Sequence, residues 1–336
     1  MPTANKHFMQ LAVDKAWEYQ FLTYPNPAVG AAVVKNGTLL SVEAHKEAGA
    51  PHAEVLALKE AYLTKYPNNS LKFLNDSHEI HHYLTLNHKD FFNDCQIYVT
   101  LEPCNHIGKT PACAMLLESV GIEKVYIGTL DPNKQASGGV QRLIDAGIEV
   151  ETGICKEETD NLLLPFSIWQ KRSFKFFKIA MREDGSVDGG YITTQASLDL
   201  VHNIRTKIDL MAIGGETVRV DRPTLDTRFA GEQKSPDIFI YSNQKEFDQT
   251  IPLFGVKGRS VNISSDIDKL DDKKFVMIEG GLNLLKSLKH RCDMVMLFIS
   301  HKNSVEDKFD PSKAGLKTIH SYYINDSDEV LFLINR

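Results

Sequence analysis

The sequence has no excess of basic residues: 38 Lys and Arg stand against 44 Asp and Glu, a formal net charge of −6. A nucleic-acid footprint normally shows as a basic surplus, so the balance leans away from a nucleic-acid partner, although a local basic patch is compatible with it. Long apolar runs are missing as well. No stretch approaches the ~20 apolar residues that cross a bilayer, and no apolar run follows a basic start. No membrane association is expected, and a cytoplasmic location is. Cysteine is scarce, with five in 336 residues, which excludes a disulfide framework. Cys95, Cys155 and Cys292 lie in apolar or mixed surroundings and read as buried structural thiols. Cys104 and Cys113 sit in a loop of different character. There is no internal repeat, no low-complexity tract and no G-x-G-x-x-G dinucleotide fingerprint.

What is present is ordinary globular composition, 42% hydrophobic and 24% charged, over a length that suits two domains better than one. Each half is long enough to bury its own core. Residues 5–21 have apolar side chains near helical spacing. Tyr24-Pro25-Asn26-Pro27 must be a rigid loop, because prolines bracket the asparagine. The β-branched runs 28–34 and 38–42 are joined by Asn36-Gly37, a strong hairpin signal. His52 to Ala61 reads as a helix. From about 62 to 93 the chain turns polar and loses periodicity; His78, His81, His82 and His88 in this insertion read as solvated loop residues. Strands are expected at 96–101, 124–128 and 148–151, and helices at 111–119 and 138–146. This α/β alternation predicts a layered first domain over 1–155. A charged helical stretch at 156–173 would connect it to a second domain, 174–336. That domain also alternates: strands at 174–181, 209–214, 237–241, 275–278 and 293–299, helices at 196–207 and 282–289.

The strongest chemical signal is His52-Ala53-Glu54 combined with Pro103-Cys104 and Cys113. One imidazole and two thiolates give three protein ligands, and a tetrahedral zinc ion so held keeps one position open for water. Four ligands would suggest a closed structural site. Glu54, at the start of the same helix as His52, is placed to shuttle a proton without ligating the metal. Histidine-x-glutamate with a later proline-cysteine is the logic of zinc deaminases. The second cysteine comes nine residues after Cys104 instead of three, which departs from the tRNA and cytidine deaminases. The bland reading is a buried zinc knot, or three unconnected polar residues.

The stretches Pro25–Gly30, Pro51–Glu54, Thr100–Cys113 and Asp131-Pro132-Asn133 together resemble the bacterial bifunctional deaminase–reductases of riboflavin synthesis. In the second half Lys178–Gly185, Ile192-Thr193, Arg205, Gly214–Val218, Asp221–Arg228 and Glu279-Gly280-Gly281 follow the order of that family's reductase domain. The likeness covers nearly the whole chain, with gaps at 62–93 and about 230–272. It implies an α/β chain: a cytidine-deaminase-like α/β/α layered domain followed by a dihydrofolate-reductase-like α/β domain. It also implies zinc and NADPH as cofactors and a pyrimidine ribose phosphate as substrate. The chain would be a homo-oligomer, a dimer or a tetramer. Asn26, His45, Lys109, Asp131 and Asn133 match residues that hold the pyrimidine or its ribose phosphate. Asn26 offers an amide donor and acceptor to a ring edge, and Lys109 offers a point charge to phosphate. Ala180, Tyr191, Thr193, Thr217, Asp221, Ser242, Gly280, Gly281 and the rest of 281–287 would line NADPH. Lys178, Arg205, Thr224, Arg228 and Glu279 would face the reductase substrate.

The physical reading beside this resemblance is weaker in the second half. A strand running into Gly280-Gly281 and then a helix offers backbone N–H groups to a phosphate, but Gly-Gly alone is a common turn. Asn26, or Asp131-Pro132-Asn133, would be turn residues on the bland reading, His45 a satisfied surface histidine, and each arginine a member of a surface ion pair. The sequence also departs from the family at Arg182-Glu183, in the short 186–190 loop, at Tyr191 in place of tryptophan and at Asp226 in place of threonine. These departures put reductase rate and the choice of NADPH over NADH in question. The expected reactions are zinc-dependent deamination of 2,5-diamino-6-(5-phosphoribosylamino)pyrimidin-4-one, then NADPH-dependent reduction of the ribosyl to a ribityl side chain. The alternatives are a working deaminase beside an impaired or structural reductase half, a nucleic-acid-editing deaminase with salt-sensitive tRNA binding, and a zinc scaffold with a fourth protein ligand.

Overall fold

Asn36 and Gly37 take left-handed backbone angles, φ 50° and 77°, the pair that a two-residue hairpin requires. They join β1 (Gly30–Lys35) to β2 (Thr38–Ala44) in antiparallel register. The structure, a computed structural model, describes all residues except 1, 107, 109, 134–136, 188, 189, 191, 232, 233 and 303–307, with side chains from residue 4 onward. Two units divide the chain, Met1–Ser167 and Ile168–Arg336.

In the first unit α1 (Pro2–Trp17) precedes the hairpin, followed by α2 (Ala53–Lys65), α3 (Ser77–Asn87), β3 (Cys95–Leu101), α4 (Cys113–Ser119), β4 (Lys124–Thr129), α5 (Gly139–Asp145), β5 (Glu149–Thr152) and α6 (Lys156–Trp169). The sheet order is β2-β1-β3-β4-β5. β1 runs antiparallel to its neighbours, while β3, β4 and β5 are parallel. Side chains alternate between the two faces of a strand. On one face Ala31, Val33, Ile97, Val99, Val125 and Ile127 pack with Val55, Leu58, Leu116 and Leu117 of α2 and α4. On the other, Tyr98 stacks on Tyr126, meets the Phe8 ring of α1 at 5.4 Å and hydrogen-bonds Asn5.

Two expectations are corrected in this unit. The insertion contains the helix α3, capped by Asp76, whose carboxylate accepts from His78 and Glu79 backbone N–H groups. Its apolar stripe is only Ile80 and Leu84, with Ser77 and His81 buried beside them. So narrow a stripe among polar residues gives little periodic signal. His81 is therefore a buried helical side chain, its Nε2 3.4 Å from the Ala112 carbonyl, whereas His78 and His82 are exposed. Cys155 is half-exposed rather than buried, at a left-handed turn (φ 52°) before α6. Cys95 and Cys292 are buried.

The second unit contains β6 (Phe174–Arg182), α7 (Gln195–Arg205), β7 (Leu210–Gly214), α8 (Gly215–Asp221), β8 (Asp237–Tyr241), β9 (Val261–Ser264), β10 (Phe275–Glu279), α9 (Leu282–Leu288), β11 (Met294–Ser300), β12 (Leu316–Tyr323) and β13 (Asp328–Asn335). The sheet order is β12-β13-β11-β6-β10-β7-β8-β9. From β11 to β9 the strands are parallel, and β13 and β12 close one side antiparallel. β6, the first strand made, stands between β10 and β11, both of which come about a hundred residues later in the chain: Phe174 pairs with Phe275, and Phe176 with Met294. Asp328 ties β13 to α7. Its fully buried Oδ2 accepts from Thr194 N, Thr194 Oγ1 and Ser197 Oγ, each at 2.6 Å.

Candidate functional site

The carboxyl ends of β3 and β4, with the N-terminal turns of α2 and α4, converge in the first unit. His52 is the cap residue of α2 and Cys113 opens α4; Cys104 follows β3. His52 Nδ1 lies 3.7 Å from Cys104 Sγ and 3.4 Å from Cys113 Sγ. All three ligand atoms fall within 4.8 Å of one another, and among the described residues this is the only such group of His, Cys, Asp or Glu. A nitrogen and two sulfurs at these separations suit zinc. The other imidazole nitrogen, Nε2, is 3.3 Å from the Thr110 hydroxyl, a partner that fixes the ring's orientation and leaves Nδ1 for the metal. Cys113 N donates to Cys104 Sγ at 3.4 Å, and the Cys113 thiol, working against burial and joined by His52, lowers Cys104 well below the usual thiol range.

Glu54 is in the first turn of α2, 4% exposed. Burial raises its carboxyl to about 7, against the opposing charge of His52. A carboxyl that releases and takes a proton near neutrality is suited to general acid–base work.

Asn26 and His45 lie beside this centre. Asn26 Nδ2 is 3.2 Å from His45 Nε2, His45 Nδ1 is 3.2 Å from the Pro51 carbonyl, and the His45 and His52 rings meet edge-on at 5.3 Å. His45 is buried rather than a surface histidine, and burial, then the His52 charge, lowers it to about 4. It is therefore a neutral hydrogen-bonding group, Nδ1–H donating to Pro51 and Nε2 accepting from Asn26. Asp131 accepts from Asn133 N at 2.8 Å in a tight turn, and burial raises its carboxyl, with Cys104 among the charges it feels. Lys109 lies outside the described residues.

Glu102 carries a role that the sequence does not announce. Oε1 accepts from Gly138 N at 2.9 Å and Val140 N at 3.1 Å, and Oε2 accepts from Asp131 N at 3.2 Å. One buried carboxylate thereby caps α5 and fixes the Asp131 turn. The helix can approach because Gly139 has no side chain: a Cβ there would lie 1.9 Å from the Pro103 carbonyl oxygen. An acidic residue before a proline is the only sequence signal, and its partners lie 29 to 38 residues away.

In the second unit the carboxyl ends of the parallel strands form one edge, where ligands of α/β sheets bind. Lys178 (β6) and Glu279 (β10) are register partners and form an ion pair at 3.0 Å. Arg205, from the last turn of α7, bonds the other Glu279 oxygen at 3.0 Å. Two cations share one carboxylate, so the triad keeps one positive charge. Burial opposes ionisation of Glu279, but Lys178 and Arg205 together hold it down at about 2. Arg205 Nη1 also donates to the Asp226 carbonyl (3.2 Å) and meets His202 Nε2 (3.3 Å), while Arg205 Nε and Asp226 Oδ1 are buried with no protein partner. Sequence reasoning missed His202, a buried ring between Arg205 and the Phe229 backbone. Burial, then the Arg205 charge, lowers it to about 4.

Of the residues expected at a cofactor, those on neighbouring strand ends come together. A Cβ on Gly215 would lie 2.7 Å from Ser242 Cβ, and one on Gly214 would lie 3.4 Å from Leu284 and 3.7 Å from Thr217 Oγ1. Gly280 similarly abuts Leu284 of α9, and the Gly281 position faces open space. Asp221 is exposed at the end of α8 and feels the charge of Glu279. Ala180 is on β6, paired with Phe298; Thr193 is half-buried just before α7. Thr224 presents its carbonyl to Arg259, and Arg228 is exposed with Nη1 3.4 Å from Asp226 Oδ2. Tyr191, and 188 and 189 of the short loop, lie outside the described residues.

Comparison with known proteins agrees with both halves. The family model for the cytidine and deoxycytidylate deaminase zinc-binding region matches residues 2–129. The riboflavin biosynthesis protein RibD of Aquifex aeolicus is 32% identical over 299 residues, covering 85% of this chain and 76% of that protein. RibD of Synechocystis is 34% identical over 218 residues, 62% of this chain and 52% of that one. A solved structure from Thermotoga maritima, described as a diaminohydroxyphosphoribosylaminopyrimidine deaminase/5-amino-6-(5-phosphoribosylamino)uracil reductase, is 25% identical with a TM-score of 0.63. That likeness covers 100% of this chain and 99% of the other, so the α/β fold expected of each half stands.

Proposed function

The chain belongs to the RibD family of riboflavin biosynthesis proteins, and from that premise we propose that it is a bifunctional enzyme, a zinc-dependent pyrimidine deaminase and an NADPH-dependent reductase. The observation that carries the first half is His52 Nδ1 facing both Cys104 and Cys113 sulfurs, with Glu54 buried in the same turn. A zinc ion bound by this donor set supplies a polarised, more acidic water. Glu54 takes a proton from the attacking water and delivers it to the departing amine, so oxygen replaces nitrogen on the ring carbon and ammonia leaves. Asn26, oriented by His45, and Asp131, oriented by Glu102, hold the pyrimidine and its ribosyl chain. Lys109 takes the phosphate.

In the second half the residues at the ends of β7, β8 and β10 are suited to NADPH, whose nicotinamide supplies the hydride. Gly214, Gly215 and Gly280 let Thr217, Ser242 and Leu284 pack close at these strand ends, and Gly281 leaves open space before α9 for a phosphate. The net positive triad of Lys178, Arg205 and Glu279 suits the phosphoribosyl substrate, and arginine's planar fork binds phosphate bidentately. The ribosyl side chain is reduced there to ribityl.

Mass analysis of products from 2,5-diamino-6-(5-phosphoribosylamino)pyrimidin-4-one, with and without NADPH, tests both halves. Deaminated product alone without NADPH, and deaminated and reduced product with it, is the expected result. No deamination by zinc-loaded protein refutes the first half. Deamination that stops at the ribosyl product despite NADPH refutes the second.

A further inference from the structure

The loop 222–228 holds an awkward shape. Arg222 and Leu225 are both left-handed, with φ of 45° and 54°, a conformation that side chains other than glycine disfavour and that neighbouring structure must hold in place. The neighbour is a segment in the 230–272 stretch that carries no family resemblance. Arg222 is gripped by Asp248 at 2.7 Å and Thr250 at 2.6 Å, and Leu253 N donates to the Pro223 carbonyl at 3.0 Å. Arg259 reaches further in. Its Nη1 donates to the Leu225 carbonyl at 2.6 Å, and its Nη2 to the carbonyls of Thr224 (2.7 Å) and Leu253 (2.6 Å).

We infer that Arg259 is a positioning residue of the reductase site, clamping the Thr224-Leu225 carbonyls so that the loop presents Asp226 and Arg228 beside Arg205. The inference rests on the reductase reading above. A planar guanidinium donates to three carbonyls from two nitrogens, including those of the left-handed residue and the one before it, and that fork is what a lysine ammonium lacks. The consequence reaches the triad in one step, because the residue after Leu225 gives its own carbonyl to Arg205 Nη1 at 3.2 Å. Burial lowers Arg259 to about 10, which leaves it charged at neutral pH, and its field reaches Asp226 and Arg205. Arg259 itself is engaged by three backbone oxygens, so its task is to hold the loop rather than to touch substrate.

The test is steady-state reduction of the deaminated phosphoribosylaminouracil by the full-length protein, with Arg259→Met and Arg259→Lys. For R259M the KM for that substrate should rise about tenfold or more, with kcat changed much less, as for binding lost equally from the ground and transition states. Amide exchange across 222–228 should quicken, deamination should stay within about twofold of wild type, and R259K should recover part of the KM. A folded R259M with wild-type KM and exchange overturns the inference. If R259M does not fold, R259K decides on the same two readouts, a raised KM with faster exchange supporting the role and wild-type values overturning it. Wild-type protein that oxidises no NADPH overturns the reductase reading and this role with it. Wild-type activity beside an unaltered variant overturns the role alone.

Discussion

Replacing Glu102 by glutamine changes one oxygen to an NH2 group and keeps the shape, so its cost can be worked from three distances. The carboxylate accepts from Gly138 N at 2.9 Å, Val140 N at 3.1 Å and Asp131 N at 3.2 Å. A glutamine can keep its oxygen toward Gly138 and Val140, but its NH2 then faces Asp131 N, a donor against a donor. Two bonds lose their charge and the third is lost outright. Bonds to a charged group contribute about 1.5–3 kcal/mol and neutral ones about 0.5–1.5, so two bonds weakened by about 1.2 kcal/mol each and one of about 2.2 kcal/mol lost come to about 5 kcal/mol. The first unit, Met1–Ser167, is in the size range where 1 kcal/mol moves Tm by about 2–4 °C, which predicts a fall of roughly 10–20 °C in its transition. Calorimetry of the zinc-loaded protein measures this. Metal analysis should still find zinc, because no ligand is touched. The KM of deamination should rise as the Asp131 turn loosens. A Glu102→Gln protein that melts within 2 °C of wild type would refute the argument that these three N–H groups depend on a charged acceptor.

Glu54→Gln should keep zinc and lower deamination kcat by about 10²- to 10⁴-fold; a zinc-loaded variant with wild-type turnover rules out the proton shuttle. His52→Ala or Cys104→Ser should lose the metal itself, read by metal analysis after dialysis, and with it all deamination. Glu279→Gln leaves Lys178 and Arg205 without their shared carboxylate and should destabilise the second unit by about 2–3 kcal/mol, below the full cost of breaking a buried pair because Glu279 is 21% exposed. Unchanged urea melting would count against the triad. Finally, His202 and His320 are each lowered from 6.5 to about 4, His202 by burial and then Arg205, His320 by burial. Below pH 6.5 the unfolded chain binds protons that the folded one does not, so stability is full above that pH and falls toward pH 4. The slope is at most about 1.4 kcal/mol per pH unit for each histidine. Urea midpoints of the second unit that stay constant from pH 7.5 to 5 would show that the rings are not held neutral.

The cluster of His52, Cys104 and Cys113 was legible from sequence because its residues are local to motifs. His52 and Glu54 share one helical turn, and each cysteine sits where a loop enters or leaves a regular element. The hairpin was legible because Asn36-Gly37 has little alternative. The parts that were not legible depend on contacts remote in sequence. Glu102 looks like any acidic residue before a proline until Gly138 and Val140 arrive beneath it. Arg259 sits in a stretch without family likeness, and its partners are carbonyls, which no residue type encodes. β12 was missed because only Leu316 is buried and the exposed positions Lys317, Thr318, Ser321 and Tyr323 fall on both sides of a register irregularity, so no alternating apolar pattern shows. α3 was missed for the same reason in helical form. His81 shows the limit of composition: four histidines in a polar tract suggest solvent, yet one is buried against the loop that carries Cys113.

The central place of β6 has a bearing on how the polypeptide is made. The ribosome delivers Phe174, Phe176 and Phe177 early, yet the strands that flank them, β10 and β11, are translated only about a hundred residues later. At 5–20 residues per second that wait lasts roughly 5–20 s, during which an aromatic, β-prone segment has no sheet to join. The first unit meets no such delay between β1 and β2, since its hairpin closes over two residues. During synthesis these aromatic residues of the second unit thus wait unpaired, and a chaperone that covers apolar nascent segments should raise the soluble yield of the second half more than that of the first.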